Sequence, residues 1–186
     1  IYHEHVSYFT ARNIKSILDH SNLKILSFSK NEYHGGSLRT IASKKNSSFK
    51  ELKIDKFINY ENKKNIYKLE FYKKMMKKIN FKKKKLLTKL SNLSAKGYIL
   101  SGIGAGAKSN TFLTFYGLNN KIIKFLTDSS KFKKNKYTPV SRIIIKDDKE
   151  LINHKKIACI ILSWNISILV IDKIKKLNKK IKIIYT

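Results

Sequence analysis

The sequence predicts an α/β protein: a Rossmann-like, mostly parallel sheet with flanking helices, preceded by an N-terminal segment of strands and one long helix. Three observations carry this. From residue 97 onward, short apolar runs alternate with helical segments, and strands separated by helices pack as a parallel sheet with right-handed crossovers. A glycine-rich turn, Gly102-Ile103-Gly104-Ala105-Gly106, directly follows the apolar run Tyr98-Ile99-Leu100. A stretch from about Asn62 to Ala95 holds neither proline nor glycine and repeats apolar residues at roughly helical spacing.

The elements follow in order. In "FTARNIKSILDH" (9–20), Phe9, Ile14, Ile17 and Leu18 share a helical face. "LKILSFS" (23–29) alternates as a strand, "GGSLRTIAS" (35–43) gives a second strand after a glycine turn, and 43–53 begins as loop. The long helix of 62–95 carries an interrupted apolar stripe that includes Leu69, Met76, Leu86 and Leu90, with lysines opposite and Gly97 as its C-cap. Then come the strand "YILSGIG", the short helix "SNTFLTFYG", the strand "KIIKFLTDS" ending at Asp128, and the short strand "SRIIIK". A helical turn "DDKELINH", the buried strand "IACIILSW", the amphipathic helix "NISILVIDKIKKLNKK" and the strand "IKIIYT" complete the chain. Residues 1–96 and 97–186 are read as two parts of one domain.

The chain has 186 residues, 42% of them apolar, enough for a core. No run of about 18 uncharged apolar residues exists, so no membrane span is expected. No signal-peptide pattern opens it, and a cytoplasmic address is expected. The single cysteine, Cys159, excludes an internal disulfide and a zinc site of several thiolates within this chain. Its apolar setting predicts a buried, inert thiol. The chain begins at Ile1 within "YHEH", which reads as part of a longer chain or a frame that lost its front.

The formal charge is +29, and all but three of the 41 basic residues are lysine. Nucleic-acid surfaces lean on arginine for bidentate contacts. Lysine, isoleucine and asparagine share AT-rich codons, so base composition accounts for much of this excess and ranks above a nucleic-acid role. The lysine run "KKMMKKINFKKKK" (73–85) keeps that role as the alternative, since such charge attracts polyanions at low salt.

A strand, a glycine turn and a helix N-terminus form an arrangement that can cradle phosphate: glycines permit close approach and the helix end is partly positive. Lys108 can add a full charge, and Asn110 and Thr111 can donate hydrogen bonds. The spacing is not that of a Walker loop, and Ser109 stands where the dinucleotide fingerprint has its third glycine. A turn whose glycines serve packing alone is the plain reading.

Five stretches in order then resemble the C-terminal domain of S-adenosylmethionine-dependent sugar C-methyltransferases, which modify nucleotide-linked keto-sugars. They are "YHEHVSYFT" (2–10), "HGGSLR" (34–39), "GAGAKSNTFLTFYG" (104–117), "DSSKFKKNKYTPVSRIII" (128–145) and "LSWN" (162–165). The resemblance implies that His5 is the general base that takes a proton from the carbon beside the sugar ketone, and that Glu4 and Tyr2 shape that site. It implies that Gly104, Gly106, Lys108, Asn110 and Thr111 belong to a diphosphate-binding loop. A histidine suits a base working near neutral pH. The family pattern has glycine where Ser109 stands, Pro-Gly where Pro139-Val140 stands, and often a histidine near Ser141-Arg142. It also places a cysteine-rich zinc domain and an S-adenosylmethionine-binding domain before this region. The methyl donor is therefore expected on such a domain rather than on this chain, through a longer chain or a separate partner. The chain alone is expected to be inactive, and an inactive remnant is a further possibility.

The remaining candidates keep two readings each. His3 is read as non-catalytic, and the His3–His5 pair lacks a third ligand, so no metal is expected. His34 caps its turn. Arg39 contacts a phosphate or pairs with Glu4. Asp128 accepts from a ribose or base, or caps the next turn. Tyr137 and Thr138 form a nucleotide lid or a solvated loop. Trp164 is core, and Asn165 is an N-cap.

Overall fold

The computed structural model describes residues 4–32, 36–163 and 167–185. The chain forms two compact units: residues 6–78, and residues from 79 onward, with which Glu4 and His5 are grouped.

In the first unit, helix α1 (Ala11–His20) starts where Thr10 Oγ1 accepts the Asn13 amide at 3.2 Å. Glu61 completes this helix start. Its carboxylate accepts the amides of Ala11 at 2.6 Å and Arg12 at 3.3 Å, placing negative charge at the positive end of the helix. Tyr67 donates its hydroxyl to the same carboxylate, and the Arg12 guanidinium lies 3.7 Å from the Tyr67 ring centre. Strands β1 (Leu23–Asn31) and β2 (Ser37–Lys44) form an antiparallel pair with a register shift between Ile25 and Ser27. The small core joins Ala11, Ile25, Phe28 and Ile54, with Phe57 edge-on to Phe28 at 4.8 Å.

Helix α3 (Leu69–Ala95) occupies most of the helix expected over 62–95 but starts later, and a separate helix α2 (Asp55–Lys63) lies mostly before that span. The break has a local cause. Asn65 adopts φ 57, the left-handed conformation that ends helices and that asparagine tolerates. The C-terminal half of α3 belongs with the sheet unit because Leu86, Leu90 and Leu93 are buried in its core.

The second unit is a five-stranded sheet of order β5-β4-β3-β6-β7. Its strands are β3 (Ile99–Ile103), β4 (Phe125–Thr127), β5 (Ile145–Lys146), β6 (Ile157–Ile161) and β7 (Lys182–Ile184), all paired in parallel. Helix α4 (Ala107–Tyr116) follows β3, a 3-10 turn (Asp148–Asn153) follows β5, and helix α5 (Ser167–Leu177) follows β6. Both faces of the sheet are buried, and successive residues alternate between them. Along β6, Ala158 and Ile160 join the cluster containing α3 and α4, whereas Ile157, Cys159 and Ile161 join the one containing Ile171 and Ile174 of α5. The α/β, Rossmann-like expectation is met.

Two expected strands are shorter than their apolar runs. In "KIIKFLTDS" the strand covers Phe125–Thr127, and in "SRIIIK" it covers Ile145–Lys146. Upstream of β5 the backbone turns through Val140 at φ 63 and Arg142 at φ 49, which takes it out of the extended conformation.

Candidate functional site

The order of the sheet places the site. The chain leaves β3 towards β4 on one side and later returns to β6 on the other. The connections after β3 and β6 therefore diverge, and ligands in open α/β sheets bind in the crevice this opens beyond the strand ends. A cleft of about 430 Å³ lies there. Gly104 and Gly106 reach it from the turn after β3, Thr127 and Asp128 from the end of β4, and Asp148 from beyond β5. Ser163 reaches it from beyond β6, and Val170, Lys173 and Ile174 line it from one face of α5.

The glycine turn is built by its own amides. Gly104 N–H donates to Thr127 O at 2.7 Å, Ala105 N–H to Asp128 Oδ2 at 2.8 Å, and Gly106 N–H to Ser109 Oγ at 3.3 Å. Gly104 has φ 97, a conformation suited to glycine. The amides of residues 104–106 thus hold the turn together. Ser109 is buried, and its hydroxyl supplies half of a helix cap. That is what serine does at a position where the resemblance has glycine.

Asp128 is the keystone of this region. Besides Ala105 N–H it accepts Ser130 N–H at 2.9 Å and Lys133 Nζ at 3.1 Å. Burial pushes its carboxyl upward, but the two amides and the Lys133 ammonium outweigh that, and the group lies below the ordinary carboxylate value. Of the two readings of Asp128, the turn cap is present in the structure, and the residue also lines the cleft. A second ion pair faces it: Lys173 Nζ donates to Asp148 Oδ2 at 2.6 Å.

The other candidates fall as follows. Lys108, Asn110 and Thr111 are half-buried in the first five residues of α4, and Asn110 Oδ1 is enclosed with no hydrogen-bond partner among the described residues. Tyr137 is exposed and forms an isolated antiparallel bridge with Ile144, while Thr138 is buried, its Oγ1 2.6 Å from Ser141 Oγ. The Thr138 hydroxyl pins the 138–143 turn, so the loop is neither simply solvated nor an open lid at that residue. Glu4 and His5 are exposed and grouped with the sheet unit. Arg39 is exposed on β2, in the unit of residues 6–78. Tyr2, His3, His34, Trp164 and Asn165 lie outside the described residues. Thr127, Asp148, Ser163 and Lys173 were not singled out by the sequence, although the rule that found Asp128 at a strand end applies equally to Asp148 and Ser163.

Among the described residues, no group of three His, Cys, Asp or Glu side chains could hold a metal, and no helix is long and apolar enough to cross a membrane.

A doubly flanked parallel sheet with a cleft at its switch point defines a Rossmann-like α/β domain. Residues 32–185 match the model of the C-methyltransferase C-terminal domain, and the chain belongs to that family. Among curated proteins it is similar to the C-methyltransferase NovU of Streptomyces niveus, with 24% identity over 177 residues, 95% of this chain. The match spans 42% of the length of that relative.

Proposed function

We propose that the chain is the nucleotide-sugar-binding, base-bearing portion of an S-adenosylmethionine-dependent C-methyltransferase acting on a nucleotide-linked keto-sugar. The observation that carries this reading is the cleft beyond the ends of β3, β4 and β6, opened by a glycine turn, in a domain of the C-methyltransferase family.

In this reading the diphosphate lies against the start of α4, where helix amides and Lys108 supply positive potential. His5 removes the proton from the carbon beside the ketone, and the electrons move into an enolate whose oxygen needs a nearby donor. S-adenosylmethionine, when bound, would supply an electrophilic methyl group, the carbon–methyl bond forming as the sulfur–methyl bond breaks and sulfur keeps the electron pair. The donor is assigned to further chain, either continuous with this one or a separate partner that carries zinc and methyl-donor domains. The residues around the cleft are assigned to the substrate: two paired carboxylates and two paired lysines, with three hydroxyls, suit a hydroxylated ligand.

Isothermal titration with a thymidine diphosphate sugar tests the reading. Saturable heat, competed by the free diphosphate nucleotide and persisting at moderate salt, is expected. Absence of heat at millimolar ligand would reject it. Binding of any polyanion that collapses with salt would instead favour the nucleic-acid alternative.

A further inference from the structure

We infer that the wall formed by Thr127, Asp148 and Lys173 reads sugar-ring hydroxyls, and so sets which sugar the cleft accepts. The inference rests on the nucleotide-sugar reading of the cleft and extends it to a specificity element.

The first observation is Thr127. The residue is fully buried at the end of β4, it lines the cleft, and among the described residues its Oγ1 has no hydrogen-bond partner. Buried hydroxyls are normally satisfied, so a ligand atom that completes this one is favoured at that spot. The second observation is independent. Asp148 is buried beyond the neighbouring strand, where Thr127 pairs in register with Lys146, and its Oδ2 accepts Lys173 Nζ at 2.6 Å. The carboxylate side chain is 11% exposed and its lysine partner 54%. The acceptor is therefore fixed by the 3-10 turn, while the donor is a solvated arm on α5.

Charge and chemistry choose the ligand group. Among the described residues, the titratable groups around the cleft are Asp128, Asp148, Lys133 and Lys173, and each carboxylate is paired with a lysine. A phosphate on this wall would set its negative charge beside Asp148. A hydroxyl has no such conflict, because one oxygen can donate to Asp148 and accept from Thr127 or Lys173. In dinucleotide-binding sheets a carboxylate at a strand end takes the ribose hydroxyls. Here Asp128 holds that strand-end position, but its oxygens are engaged by Ala105, Ser130 and Lys133. The reading task passes to Asp148, one strand further out.

The ring hydroxyls can come from the ribose or from the hexose, and three probes separate these sources. The protein is titrated with uridine diphosphate, 2′-deoxyuridine diphosphate and uridine diphosphate glucose, whose phosphates are alike. A wall that reads ribose makes the ribonucleotide bind about tenfold tighter than its deoxy form, the value of about one hydrogen bond. A wall that reads the hexose makes the glucose conjugate tighter than the bare diphosphate by a similar factor. In either case Thr127→Val, an isosteric change, and Asp148→Asn should erase the preference and leave the binding of the weaker probe in place. Circular dichroism checks that both variants keep their fold. Equal affinity for all three probes, or a preference that survives in Thr127→Val, overturns the inference and leaves the nucleotide reading intact. If no probe binds while a thymidine diphosphate sugar does, the inference is overturned; if that sugar also fails to bind, the nucleotide reading itself fails and takes the inference with it.

Discussion

A Cβ placed on Gly104 would stand 1.8 Å from Ser163 Oγ and 3.2 Å from the Ser163 backbone nitrogen. The ends of β3 and β6 meet here with no room for a side chain, and Gly104 also holds φ 97. Gly104→Ala should therefore destabilise the sheet unit by about 2 kcal/mol or more, combining left-handed strain with the clash. Gly106→Ala is the control, because a Cβ there meets nothing within 4 Å and φ is −91. Urea unfolding of both variants checks the contrast, and equal losses would contradict this account of the turn.

Val140 offers the opposite case. A β-branched residue at φ 63 is strained, and its side chain is 80% exposed, so little packing offsets the strain. Val140→Gly should stabilise the protein by about 1 kcal/mol, the left-handed penalty less the added freedom of glycine in the unfolded chain. A thermal melt reads this as a rise in Tm. A fall would mean that the valine makes a contact that outweighs its backbone.

Asp128 should shape the acid limb of stability. Its folded value lies below the ordinary 3.8, so above that pH the native state benefits in full from the ionised carboxylate. The benefit is lost as pH falls through the folded value. Asp128→Asn should cost about 1–3 kcal/mol near neutrality, and its gap from the parent protein should close in acid below the ordinary value. Unfolding curves taken across this range in both proteins decide the matter.

Cys159 should be inert in the folded protein. Burial pushes its thiol up to about 12, with a small opposing effect from Ser101. Alkylation requires the thiolate. Iodoacetamide at mildly alkaline pH should leave the native protein unmodified and label it once urea opens the sheet. Rapid labelling of the native state would show that the face of β6 towards α5 opens locally.

The proposed function makes a paired prediction at Lys108 and His5. Lys108→Ala should weaken diphosphate-nucleotide binding by about 1–3 kcal/mol, as for a charged hydrogen bond. His5→Ala should leave that binding nearly intact, since the base acts on a sugar carbon. When the donor domain is supplied, His5→Ala should abolish methyl transfer. Titration and a turnover assay separate the two, and unchanged values for both variants would reject these roles.

The sheet was legible because its strands declare themselves locally. "IACII" is a strand buried on both faces, so it shows no alternation, and the glycine turn marks the end of the strand before it. The break between α2 and α3 was not legible, because a single asparagine fits a helix interior as well as the left-handed conformation that Asn65 adopts. At the cleft, Gly104, Gly106 and Asp128 follow from position at strand ends. Lys173 does not. It meets Asp148 across 25 residues, and one lysine among so many carries no signal of its own. Thr127 reads as ordinary strand until its neighbours enclose it.

The strand order also governs the birth of the protein on the ribosome. β3 gains β4 soon after it is made, but its other edge must wait for residues 157–161. In that interval an apolar strand offers unpaired backbone groups to any similar chain, the hazard of every open sheet edge. Parallel pairing between distant segments is slow, so the interval is long. Nascent copies of a chain with net charge +29 repel one another. That repulsion opposes self-association while the sheet is still half built.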